Sequence, residues 1–81
     1  MIADWLSYPF EVNGVKFVSK VNPASPIYTR ILLTPREVFE RMNQECILEL
    51  VGDVSKLSKE ELDKELERIN EGSQFARLEL V

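Results

Sequence analysis

The amino-acid sequence predicts an α+β fold, and three observations carry the prediction. Phe10-Glu11-Val12-Asn13-Gly14-Val15-Lys16-Phe17 reads as a β-hairpin, while Leu33-Thr34-Pro35-Arg36-Glu37 and Leu57-Ser58-Lys59-Glu60-Glu61 both read as helix starts. Each of those starts is followed by the same tetrapeptide, Leu-Glu-Leu-Val, at 48–51 and again at 78–81. The expected architecture is an N-terminal β-hairpin and a third strand followed by two αβ units. These would form one mixed sheet with two helices packed on one face, in a single small domain over 1–81.

The hairpin has the clearest signal. Asn-Gly supplies the two positive-φ residues of a type I′ turn, and a two-residue loop sets the register: Val12 faces Val15, Phe10 faces Phe17, Pro9 faces Val18 and Tyr8 faces Ser19. Strands are expected over 7–12 and 15–21, with Tyr8, Phe10, Val12, Val15 and Phe17 on the core face. Glu11, Lys16, Val18 and Lys20 fall on the other. Pro9 lies at a position that costs this ladder nothing but would break pairing on the opposite side, so the first strand is expected at a sheet edge.

Two prolines make Asn22-Pro23-Ala24-Ser25-Pro26 a loop. Ile27-Tyr28-Thr29-Arg30-Ile31-Leu32-Leu33 is rich in β-branched residues and alternates, which predicts a third strand over 27–33. At the first helix start Thr34 is positioned to cap, with Glu37 reaching back, Pro35 at the first helical position and Leu33 stapled onto Val38. At the second, Ser58 and Glu61 form the same box and Leu57 staples onto Leu62. Helices are expected over 35–45 and 59–71, the latter stopped by Asn70-Glu71-Gly72. The repeated Leu-Glu-Leu-Val favours strands at 46–51 and 75–81, parallel to each other if they share a sheet, over continuation of the first helix to Gly52.

Composition narrows the function. The chain has no histidine, a single cysteine, Cys46, and no glycine-rich phosphate loop, so the usual carriers of nucleophilic, acid/base and metal chemistry are nearly absent. No catalytic residue, metal ligand, cofactor or small-molecule ligand is inferred. The acids Glu60, Glu61, Asp63, Glu65, Glu67 and Glu71 alternate with Lys59, Lys64 and Arg68, the pattern of a solvated helix face. One cysteine makes no internal disulfide. The start Met1-Ile2-Ala3-Asp4-Trp5 is acidic where a leader is basic, and no apolar run approaches the ~18 residues of a membrane span. A cytoplasmic protein without a membrane role is the expectation.

The net charge of −4 is unevenly spread: four basic against two acidic residues over 1–36, and six against twelve over 37–81. Trp5, Lys16, Val18, Lys20, Tyr28 and Arg30, all in the basic front, are the candidate partner-binding residues. The function expected from these features is that of a non-enzymatic protein–protein interaction module, a small adaptor or a homodimer. The second reading is nucleic-acid binding by the basic, aromatic front half, where rings stack bases beside cations.

Overall fold

Turn chemistry shapes the first third of the molecule. In the computed structural model, which describes residues 5–81, Asn13 and Gly14 take φ of 49° and 83° between β1 (Leu6–Val12) and β2 (Val15–Val21). The residues Met1 to Asp4, on which the leader argument drew, lie outside the described residues. The register agrees with the sequence expectation pair for pair, from Val12↔Val15 through Phe10↔Phe17 to Tyr8↔Ser19. Phe10, Val12 and Phe17 are buried, with the Phe10 and Phe17 rings stacked at 5.4 Å. Gly14→Val is expected to lower stability by about 1 kcal/mol or more, because a β-branched residue resists positive φ. A thermal melt superimposable on the parent's would contradict the turn.

The stretch 27–33 is a helix and not the third strand. It folds as α1 (Tyr28–Leu33), with Ile31 its one buried residue. The cause lies just upstream, where the Ser25 hydroxyl accepts from the Ile27 amide and the Ser25 carbonyl accepts from the Tyr28 amide, a turn that starts the chain coiling. Composition favours a strand here, but this local geometry and the burial of Ile31 prevail. Proline then ends the helix: Thr34, preceding Pro35, is pushed to ψ 131°. Thr34 therefore closes α1, its hydroxyl donating to the Arg30 carbonyl at 2.7 Å, and does not cap the next helix. Leu33 is 80% exposed and staples nothing.

The next helix, α2 (Arg36–Leu50), begins at Pro35, whose carbonyl accepts from Val38 and Phe39. It takes in 46–50, with Val51 as its C-cap, so 46–51 is not a strand. Ile47 is fully buried on its inner face, and the helix ends where the amides of Val51 and Gly52 both donate to the Ile47 carbonyl as Gly52 turns at φ 93°. A short 3₁₀ turn (Val54–Lys56) follows, capped by Asp53, whose carboxylate accepts from the Ser55 amide and hydroxyl and from the Asn13 side chain. That last bond ties the hairpin tip to the helix connection. α3 (Lys59–Asn70) opens with the expected capping box: Ser58 Oγ accepts from the Glu61 amide, and the Glu61 carboxylate accepts from the Ser58 amide. Leu62 and Leu66 are its buried residues.

The final strand, β3 (Ala76–Leu80), pairs with β2, so the sheet order is β1-β2-β3. All pairing is antiparallel, Ser19↔Leu78 and Phe17↔Leu80 among the partners. The mixed sheet built from two αβ units does not form because its parallel partner, 46–51, is helical. What stands is an α+β fold in which helices cover one sheet face. Phe10, Val12, Phe17 and Leu78 from the sheet meet Ile47 of α2, Val54, and Leu62 and Leu66 of α3 in one apolar cluster.

Both sheet edges are partly occupied. The bonds Val81 N–H to Lys16 and Asn22 N–H to Phe75 show that odd-numbered residues of β3 face β2, so Ala76, Leu78 and Leu80 present their backbone groups outward. Asn70, the last residue of α3, accepts from the Leu78 amide at 2.9 Å and donates to the Leu78 carbonyl at 2.7 Å. The Ser73 hydroxyl donates to the Ala76 carbonyl. Along β1 the outward residues include Pro9, which has no N–H, and Glu11, whose carbonyl accepts from Gln44 Nε2 at 3.0 Å. Pro9 thus lies on an edge strand, as its position implied.

Two capping carboxylates make stability depend on acid. Glu61 is held below its ordinary value chiefly by the Ser58 amide and then by its hydroxyl, and Asp53 chiefly by the Ser55 hydroxyl and then its amide. A depressed carboxylate contributes stability above its unfolded pKa, ~4.3 for Glu and ~3.9 for Asp, and that contribution disappears as pH falls through the folded value. Urea midpoints are expected to drop as pH is lowered through this range, and the Asp53→Asn, Glu61→Gln double variant should show a flatter dependence. At neutral pH Ser58→Ala should cost about 0.5–2 kcal/mol, whereas Thr34→Ala, which removes no N-cap, should cost less.

Candidate functional site

With the helices on one side, the opposite sheet face is left open, and alternation decides what it displays. Ser7, Pro9 and Glu11 from β1, Lys16, Val18 and Lys20 from β2, and Arg77 and Glu79 from β3 point there, each exposed or half-buried. Val18 is central, flanked by its register partners Pro9 and Glu79. Trp5, 37% exposed, lines a shallow depression with Ser7, Lys20, Arg77 and Glu79 at one end of the face.

The charges on this face are largely balanced within it. Lys20 and Arg77 stand directly opposite each other, and Glu79 reaches both, 3.4 Å from Lys20 Nζ and 3.7 Å from Arg77 Nε. Such half-exposed pairs contribute little stability, and the single Glu79 carboxylate offsets part of the field that the two adjacent cations project. Lys16, opposite Glu11, makes no ion pair among the described residues.

Of the sequence-derived candidates, Trp5, Lys16, Val18 and Lys20 come together here. Tyr28 and Arg30 do not join them, because the segment expected as a third strand is α1; neither lines the depression. Arg77 and Glu79 belong to the face and were not among the candidates. The alternation of Phe75, Arg77, Glu79 and Val81 against Ala76, Leu78 and Leu80 carried that information, but only the pairing of β3 with β2 places it beside Lys20.

On the covered side Cys46 is half-buried against the apolar cluster, and its thiol is pushed above its ordinary value by burial and by the nearby Glu49 carboxylate. That environment suits a packing residue and opposes thiolate formation. Among the described residues no group of three or more His, Cys, Asp or Glu side chains is placed to hold a metal ion, and no helix is long and apolar enough to cross a membrane. No protein-family model matches the chain, and no curated protein or solved structure shows significant similarity to it.

Proposed function

We propose that the protein is a non-enzymatic interaction module that binds a protein partner, a second copy of itself included, through the open sheet face. The observation that carries this reading is the face itself: an apolar centre at Val18 and an aromatic at Trp5, framed by charged residues of which Lys20 and Arg77 share Glu79. Uncovered apolar surface rimmed by polar groups is what interaction sites expose. The absence of histidine from the sequence and the neutral setting of Cys46 support a binding role over a catalytic one.

Size sets the expected strength. The two seven-residue strands span about 23 Å and the five-residue β3 about 17 Å, and three strands measure about 14 Å across, a plane of roughly 300 Å² against the ~800 Å² that each partner contributes to a standard interface. A homodimer through this face alone is therefore weak and transient. The test is to follow backbone amide shifts from about 10 μM to about 1 mM protein, where such dimers populate. Val18, Lys20 and Arg77 should move together, and Val18→Asp should abolish the movement. Shifts that ignore concentration would remove the second copy and leave a different protein as the partner.

Nucleic-acid binding is the second reading, favoured by one observation: Lys16, Lys20 and Arg77 share a face with Trp5. Glu79 offsets part of the charge of Lys20 and Arg77, which weakens it. Titration with single-stranded DNA and RNA at low salt separates the readings, because phosphate-driven binding falls steeply as salt rises.

A further inference from the structure

The hairpin tip carries a feature independent of the open face. Asn13 and Gly14 are both exposed, and where a side chain would stand on Gly14 no atom lies within 4 Å. Val12 and Val15 close the turn, and among the described residues the Gly14 amide donates to no acceptor. The Asn13 carboxamide is held only by its nitrogen, which donates to Asp53 Oδ1 at 3.2 Å, an exposed bond that water replaces at little cost.

These are the requirements of deamidation: a carboxamide free to rotate, a following amide nitrogen free to lose its proton, and no side chain after it to block the approach. The other three asparagines of the sequence each lack one of them. Asn22 precedes Pro23, which has no N–H. Asn43 lies inside α2, where the following amide belongs to the helix ladder, and its own side-chain nitrogen is buried. The Asn70 carboxamide is engaged through both oxygen and nitrogen with Leu78. We propose that Asn13 is a site of spontaneous deamidation, at which the hairpin tip changes its own charge and gives up its tie to Asp53.

The reaction needs only water. As the turn opens, the Gly14 nitrogen gives its proton to hydroxide and bonds to Asn13 Cγ, the Cγ–Nδ2 bond breaks, and ammonia leaves with a proton from solvent. The cyclic imide then takes up a water, which opens it at either carbonyl to give aspartate or isoaspartate. Both products place a carboxylate where Asn13 offered a donor. Asp53, already accepting from the Ser55 amide and hydroxyl, would face a second anion there. Isoaspartate also adds a backbone atom to the two-residue loop that sets the register. Deamidation therefore loosens the hairpin tip from the connection between α2 and α3, and does so in one direction only.

The test is to incubate the full chain at mildly alkaline pH until a synthetic peptide of residues 10–17 is half converted, then digest it and locate the change by mass spectrometry. Replacement of NH2 by OH should fall on the fragment holding Asn13, as aspartate and isoaspartate together, at least about tenfold faster than at the other asparagines, the factor supplied by one hydrogen bond that must first open. The rate should rise with pH, because the attacking nitrogen must lose its proton. Asn13→Asp reproduces one product and should melt below the parent at low salt, with the difference shrinking at high salt, which screens two exposed like charges. Asn13→Gly loses the same bond without adding charge, and its melt should not show that salt dependence. An unconverted chain when the peptide is half converted, or conversion spread evenly over the asparagines, would overturn the site. An Asn13→Asp melt equal to the parent's at low salt, or a difference that ignores salt, would overturn the release from Asp53. None of these outcomes bears on the open face, whose test is the concentration series.

Discussion

Phe17→Ala is expected to remove roughly half of the protein's stability. Phe17 is fully buried in the central strand, stacked on Phe10 from β1 and registered against Leu80 of β3, so it joins all three strands. Truncating a buried phenylalanine costs about 3–5 kcal/mol, against a total of about 4–12 kcal/mol for a chain of this length. Chemical denaturation followed by far-ultraviolet circular dichroism should show the loss as a lowered midpoint at unchanged slope, with Phe17→Leu between parent and alanine. A midpoint within a few tenths of a molar of the parent's would mean that Phe17 does not hold the core.

Asn70→Ala is expected to turn β3 into an adhesive edge. The substitution frees the amide and carbonyl of Leu78, which the Asn70 side chain now satisfies as a neighbouring strand would. The freed edge is self-complementary. A second β3 laid antiparallel about Leu78 sets Arg77 opposite Glu79, Ala76 opposite Leu80 and Phe75 opposite Val81, a favourable match for cross-strand pairs. Light scattering after size exclusion should report one 9.4 kDa chain for the parent at about 10 μM and a mass that climbs with concentration for the variant. Asn70→Asp adds a charge to the edge while keeping one acceptor, and should associate no more than the parent at any concentration. If the alanine variant associates no more than the parent up to about 1 mM, the Asn70 clasp is not what keeps β3 from pairing.

Local chemistry explains which elements were legible in the sequence. The hairpin depends on Asn13 and Gly14 alone, and the start of α3 on Ser58 and Glu61, so neighbours in sequence sufficed. The Thr34 signature looked the same as that of Ser58 and meant something else, because α1 ends on Thr34 and the hydroxyl is spent on Arg30. A cap is readable only when the preceding residues are known not to be helical. Leu48-Glu49-Leu50-Val51 misled by resembling the last strand, although Gly52 marked a helix stop. The open face was half legible: β2 alternation exposed Lys16, Val18 and Lys20, while Arg77 and Glu79 required a pairing between residues about sixty positions apart.

That distance has a consequence for how the molecule forms. The β1–β2 hairpin is local and closes in about 1–10 μs, yet a two-stranded hairpin is barely stable by itself. Its central strand gains its second neighbour only when β3, the last element of the fold, arrives after three helices have been laid down. Until then Lys16, Val18 and Lys20 keep their backbone groups bare, and neither Pro9 nor Asn70 guards that side. The interval before the final strand docks is thus the period of greatest exposure to mispairing, and a chain released before residue 76 would carry that bare edge for as long as it survived.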